Sequence, residues 1–175
     1  MSEMKTFANT SKGTLKLDWD SIERCLGFRL HENVKDFYSR VTYDEKFGIQ
    51  GVMHFKGTDF VKPTGHERFD HWLLDEELDG NVEFCLNPLR TTNLENPCGA
   101  FEEAFRGDWT GGNDFGHRAL IGELYMNFGQ LYVLINNDTG KFEWADFGYG
   151  YYDVYEENPN GVVADDTQEF LEKFL

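Results

Sequence analysis

Apolar side chains recur along this chain with two periods, and the change from one to the other outlines the fold. Val34, Phe37, Tyr38 and Val41 follow the i, i+3, i+4, i+7 spacing of a helix face, which predicts a helix over 32–40. Just before it, Asp20-Ser21-Ile22-Glu23 reads as a helix start, with Asp20 as the cap and Glu23 reaching back to it. Ile22 and Leu26 share one face of that first helix, and Gly27 suits a left-handed stop. Ile49–Phe55, bounded by glycine, predicts a first strand.

The middle of the chain carries a weaker pattern. Phe69-Asp70-His71-Trp72-Leu73-Leu74 fits a strand or a helical turn equally well, and Asp75-Glu76-Glu77-Leu78-Asp79-Gly80 reads as an acidic turn. Val82–Leu86 predicts a strand, and residues 87–99 read as loop, with Pro88, Pro97 and several asparagines. Ala100–Arg106 predicts an amphipathic helix facing inward through Phe101, Ala104 and Phe105. A glycine-rich loop over 107–116 then carries Trp109 and Phe115.

Period-two alternation takes over in the last third. Leu120–Phe128, Leu131–Asn136 and Lys141–Phe147 read as three strands of a meander, with Asn137-Asp138-Thr139-Gly140 as turn chemistry between the last two. Asn158-Pro159-Asn160-Gly161 is a further turn before Val162-Val163-Ala164. Asp165 then opens a final helix as an Asp-x-x-Gln cap with Gln168, packing inward through Phe170, Leu171 and Phe174. No strand–helix–strand alternation occurs. The expectation is therefore one α+β domain over 1–175, a mainly antiparallel sheet flanked by N-terminal helices and a C-terminal helix.

Composition narrows the class. Hydrophobic residues at 40% and aromatics at 16% of 175 residues exclude a disordered chain. The longest apolar runs, such as Leu131–Ile135, fall far short of the roughly 20 residues a spanning helix requires. The first residues lack the basic start and apolar stretch of a signal peptide. Cys25, Cys85 and Cys98 are odd in number and widely spaced, which predicts buried free thiols and a cytoplasmic protein.

Charge changes the picture most. Residues 1–70 hold 11 basic and 11 acidic side chains, whereas residues 71–175 hold 5 and 21, so the whole net charge of −16 lies in the second stretch. Such a surface repels nucleic acid and anionic membrane and attracts a basic protein. The clusters Asp75, Glu76, Glu77, Asp79 and Glu156, Glu157 are the predicted contact charges. Among the aromatics, Trp109 and the pair Tyr149 and Tyr151, set between glycines, are the predicted contact rings, because such side chains anchor interfaces.

Catalytic chemistry finds less support. His66, Asp70, His71 and His117 form the one candidate metal set, yet neither an HExxH pattern nor paired cysteines accompanies them. The loop Asp114-Phe115-Gly116-His117 has no serine elbow or Cys/His pair beside it, and 107–116 lacks the Gly-Lys-Ser/Thr ending of a phosphate loop. The chain thus reads as a binding protein without cofactor or metal, monomeric or weakly dimeric. A metal-dependent enzyme built on the four residues above is the minor alternative.

Both ends of the chain resemble the SUKH superfamily. At the start the resemblance rests on Leu26-Gly27-x-x-Leu30 and Val34-x-x-Phe37-Tyr38. At the end it rests on Asn137-Asp138-Thr139-Gly140-Lys141-Phe142-Glu143-Trp144, on Pro159-x-Gly161-Val162-Val163-Ala164-Asp165, and on Phe170-Leu171. The chain departs from the pattern at His31, where the family usually has proline, and at Arg40-Val41-Thr42-Tyr43, where a glycine pair is common. The resemblance implies an α+β scaffold that binds partners through a variable face. Its members include bacterial immunity proteins, which inactivate toxins by direct binding, and a yeast regulator of cell-wall glucan synthesis. It implies, accordingly, an inhibitor of a toxin such as a basic nuclease, with a regulatory or scaffold module as the alternative.

Overall fold

The computed structural model describes residues 15–42, 48–55, 80–126, 129–146 and 160–174. Two short helices come first, α1 (Trp19–Leu26) and α2 (Glu32–Arg40). Strands β1 (Ile49–Phe55) and β2 (Gly80–Leu86) follow, then helix α3 (Pro97–Arg106) and strands β3 (Arg118–Met126), β4 (Gly129–Asn136), β5 (Phe142–Ala145) and β6 (Asn160–Ala164). Helix α4 (Thr167–Glu172) closes the described chain. The six strands form one sheet in sequence order, every neighbouring pair antiparallel. The α+β class and the antiparallel meander are as the sequence predicts.

The helix starts are shifted from their predicted caps. α1 is capped by Asp18, whose Oδ1 accepts from the Ser21 backbone N–H at 3.2 Å, and not by Asp20. Glu23 therefore does not cap; it accepts the Leu30 backbone N–H at 2.9 Å and fastens the interhelical link. α4 is capped by Asp166, which accepts from the Glu169 N–H at 2.8 Å, while the Glu169 carboxylate reaches back to the Asp165 N–H at 2.7 Å. The expected Asp165/Gln168 box is thus replaced by one a residue later. Similarly, α3 begins three residues before its predicted start, because Pro97 occupies the first turn, where a missing N–H costs nothing.

On one side of the sheet Leu131, Val133, Ile135, Phe142 and Trp144 project under the helices, all of them buried. Phe37 of α2 and Phe170 of α4 meet Phe142 there, with ring centroids 5.5 and 4.4 Å away. α1 joins through Trp19 and α3 through Phe101, which lies 4.5 Å from Tyr38. The chain leaves β6 at one edge, crosses this face as α4, and ends against β1 at the other edge. There the His54 N–H donates to the Lys173 carbonyl at 2.6 Å. α2 and the end of the chain are tied directly: Asn33 Nδ2 donates to the Gly140 and Asp165 carbonyls, and Thr167 Oγ1 donates to the Asn33 carbonyl.

The cysteine expectation is overturned. Cys25, near the end of α1, and Cys98, at the start of α3, form a disulfide across 73 residues with Cα atoms 6.1 Å apart, and only Cys85 is a buried free thiol. Two helices meeting at their ends bring the pair together, a contact that no sequence spacing announces. The cytoplasmic placement rested on free thiols, and this bond removes its ground.

Candidate functional site

The side of the sheet away from the helices is only partly covered, and its chemistry follows from strand register. Cys85, Glu123 and Tyr132 are direct cross-strand neighbours on β2, β3 and β4 and run in a row. Tyr125, two residues along β3, is among the exposed large side chains, and its hydroxyl lies 3.4 Å from Glu123 Oε2. Burial raises the pKa of Cys85, Tyr125 and Tyr132, and the Glu123 carboxylate adds to the rise at each. A raised thiol pKa keeps more of Cys85 protonated and lowers its nucleophilicity.

A turn over Asp108–Thr110 lies against this face at Tyr132 of β4. Trp109 is its centre: its indole N–H donates to the Glu103 and Ala104 carbonyls at 2.9 and 3.1 Å, and its ring packs on Phe115 and reaches Tyr132. On β5 the buried Glu143 is held by Arg118 Nε at 2.8 Å and Asn136 Nδ2 at 3.0 Å. Arg118 also donates to the Phe115 carbonyl at 2.9 Å, tying the loop to the sheet. The glycine-rich loop is thereby a fixed cap. Asp114 accepts the Gly116 N–H at 2.7 Å in a local turn, and Phe115 is buried.

Beside this cap β3 bulges. Leu120 pairs with Leu134 and Gly122 with Val133, leaving Ile121 as an extra residue whose carbonyl accepts the Asn87 N–H at 2.7 Å. A bulge bends its strand and locally ends pairing, which is why bulges cluster at functional sites. Here a cavity of about 400 Å³ opens between the bulge, α3 and the segment after β2. Asn87, Arg90, Glu103, Trp109, Leu120 and Glu123 are in its wall.

Of the predicted contact residues, Trp109 is placed by the structure, half-buried at this cavity. Asp75, Glu76, Glu77, Asp79, Tyr149, Tyr151, Glu156 and Glu157 lie outside the described residues, as do His66, Asp70 and His71 of the metal set. His117 is exposed, stacks on Phe28 at 4.3 Å and faces Asp138 Oδ1 at 3.2 Å. Among the described residues the one three-membered group within ligating distance is Cys25, Cys98 and Glu102. Its sulfurs are bonded to each other and its carboxylate is paired with Arg106. Sequence reading missed Glu103, Glu123 and Arg90 as site residues. The Ile121 bulge that gathers them leaves no mark in the hydrophobic pattern.

Among the described residues no helix is long and apolar enough to cross a membrane. Compared with known proteins, the chain matches no family model, no curated protein and no solved structure.

Proposed function

We propose that this chain is an acidic binding protein of the immunity kind, which inactivates a basic toxin domain, such as a nuclease, by covering it. The observation that carries the reading is the concentration of the full −16 charge in residues 71–175 together with the placement of those charges. Of the described carboxylates in that stretch only Glu143 is buried, and it is neutralised by Arg118. Glu83, Glu95, Glu103, Asp108, Asp114 and Asp138 are all exposed. Exposed like charges add little to folding and much to the encounter rate with an oppositely charged partner.

The resemblance to the SUKH superfamily supports the same reading. Its two sets of motif residues lie at opposite ends of the chain, yet they meet where Phe37 packs on Phe142 and Phe170. Residues spent on that junction are scaffold, which leaves the outer face and the loops for recognition. A regulatory module would use the same scaffold, and the partner distinguishes the two. The test is association with the product of the neighbouring gene, and inhibition of that product's activity at one-to-one stoichiometry. A partner bound but left fully active argues for the regulatory module.

The compartment follows from one pair of residues. In the cytoplasm, where an immunity protein acts on its own cell's toxin, Cys25 and Cys98 stand as thiols. In an oxidising compartment they stand bonded. Acid-quenched alkylation of the protein from cells, read by mass, decides between the two.

A further inference from the structure

We infer that Cys25, Cys98 and Glu102 are the ligands of a zinc-type divalent ion when the two cysteines stand as thiols, an assignment that goes beyond the binding reading and does not depend on it. One ligand atom from each of the three lies within 4.8 Å of the other two, and all three residues are half-buried. Cys98 and Glu102 are four apart on α3 and so share one of its faces, and Cys25 comes to them from the last turn of α1. Two soft sulfurs and one carboxylate, with water in the fourth position, suit zinc over calcium or magnesium. Tetrahedral zinc with bonds of about 2.3 Å to sulfur sets two sulfurs about 3.8 Å apart. Side-chain rotation reaches that separation with the Cα atoms at 6.1 Å.

Arg106 supplies the supporting frame. Four residues beyond Glu102, its guanidinium donates to Glu102 Oε1 at 3.0 Å, to the Leu26 carbonyl at 3.2 Å and to the Cys25 carbonyl at 3.3 Å. It thereby orients the carboxylate and ties the end of α1 to α3 independently of the sulfurs. Trp19 on Phe101 at 5.8 Å and Phe28 on Phe105 at 5.1 Å hold the same segments together, so opening the S–S bond leaves the two cysteines facing each other. Charge closes as well: two thiolates and a carboxylate on a divalent ion leave one negative charge, which the guanidinium matches. A dithiol reductant opens the bond, two thiols forming here as the reductant becomes a disulfide, and the ion then displaces one proton from each thiol. Bonded, the pair fastens α1 to α3 covalently; as thiols, it does so through the metal.

The full chain, stripped with a chelator and kept reduced by a phosphine, is titrated with Co²⁺ as a spectroscopic stand-in for zinc. One equivalent is expected to bind, with thiolate-to-cobalt charge-transfer absorption and the visible bands of a tetrahedral ion, both removed by zinc. The oxidised chain, Cys25→Ser and Cys98→Ser are expected to show neither, and Cys85→Ala to keep both. Glu102→Gln keeps both sulfurs and is expected to weaken zinc about 10–100-fold against a chromophoric chelator, at least the cost of disturbing a ligand's surroundings. Zinc is also expected to raise the urea midpoint of the reduced wild type and to leave that of Cys25→Ser unmoved. No charge-transfer band in the reduced wild type, or one that persists in Cys25→Ser, overturns the proposal. Equal zinc affinity in Glu102→Gln overturns the three-ligand set, and zinc that binds without moving the midpoint overturns the metal as a fastening. The partner is absent from every arm, so failure here leaves the binding reading standing.

Discussion

Asn137 and His31, 106 residues apart, hold each other's backbone surroundings: Asn137 Oδ1 accepts the His31 N–H at 2.8 Å. Asn137 Nδ2 donates to the Arg29 carbonyl, also at 2.8 Å, so one side chain spans the link between α1 and α2. The proline usual at this position in the resembling family has no N–H and could not make the first bond. His31 also caps α2, its Nδ1 accepting from the Asn33 N–H at 3.1 Å. Beside it Gly140 adopts φ +74° with its Cα against the imidazole, where any side chain would collide.

Asn137→Ala leaves two backbone groups of this link without partners. The expected loss is about 1–3 kcal/mol in urea unfolding, with an unchanged m-value. A loss below about 0.5 kcal/mol would show that water replaces the amide without cost.

Phe170 is fully buried, stacked on Phe142 at 4.4 Å and edge-on to Phe37 at 6.1 Å. Phe170→Ala is expected to cost about 3–5 kcal/mol, the usual range for a buried phenylalanine. Phe174, only partly buried at the end of the chain, is expected to cost less. An inverted order would mean that the bridge of Phe174 to Met53 on β1, and not Phe170 on α4, anchors this end of the fold.

The Cys25–Cys98 bond closes a loop of 73 residues, for which chain entropy gives about 4 kcal/mol and experience with native disulfides about 2–5 kcal/mol. Cys25→Ser is expected to lose about 2–4 kcal/mol, and the wild type in excess dithiothreitol is expected to match it. Coincident urea midpoints for the oxidised and reduced wild type would contradict a stabilising bond.

Glu23 accepts the Leu30 N–H and pairs with Lys35 Nζ at 3.0 Å. The backbone bond first, then Lys35, hold its carboxyl below the ordinary glutamate range against a burial that pushes the other way. A carboxyl lowered in the folded state contributes stability above its unfolded value, about 4.3, and loses that contribution as pH falls through the lower folded value. Glu23→Gln is therefore expected to be destabilised at pH 7, with the gap to wild type closing as acid protonates the folded wild-type group. A gap of constant size in urea midpoints across that range would contradict this.

Elements with one dominant periodicity were legible in the sequence. α2 occupies 32–40 and β1 49–55 as their patterns predict, because each has its apolar positions on one face and nothing competing. The meander was legible for the same reason, although Glu143 sits within the all-buried β5, where Arg118 from β3 and Asn136 from β4 hold it. The caps were misread by one or two residues because Asp18 and Asp20, or Asp165 and Asp166, are chemically equal candidates, and backbone geometry chooses between them. The site was legible only at Trp109. Its other members come from α3 and from either side of a bulge, and the disulfide from two helix ends, all relations of tertiary distance.

Association kinetics with the neighbouring gene's product, measured from about 0.1 M to about 1 M salt, test the acidic binding face most directly. Over that range the Debye length falls from about 10 Å to about 3 Å, so steering by an acidic face weakens steeply. The predicted result is an on-rate that falls markedly with salt, falls further when Glu76 and Glu77 or Glu156 and Glu157 are reversed to lysine, and changes little in Trp109→Ala, which instead raises the off-rate. A salt-independent on-rate, with the four charge reversals silent, would contradict an acidic binding face even if a complex forms.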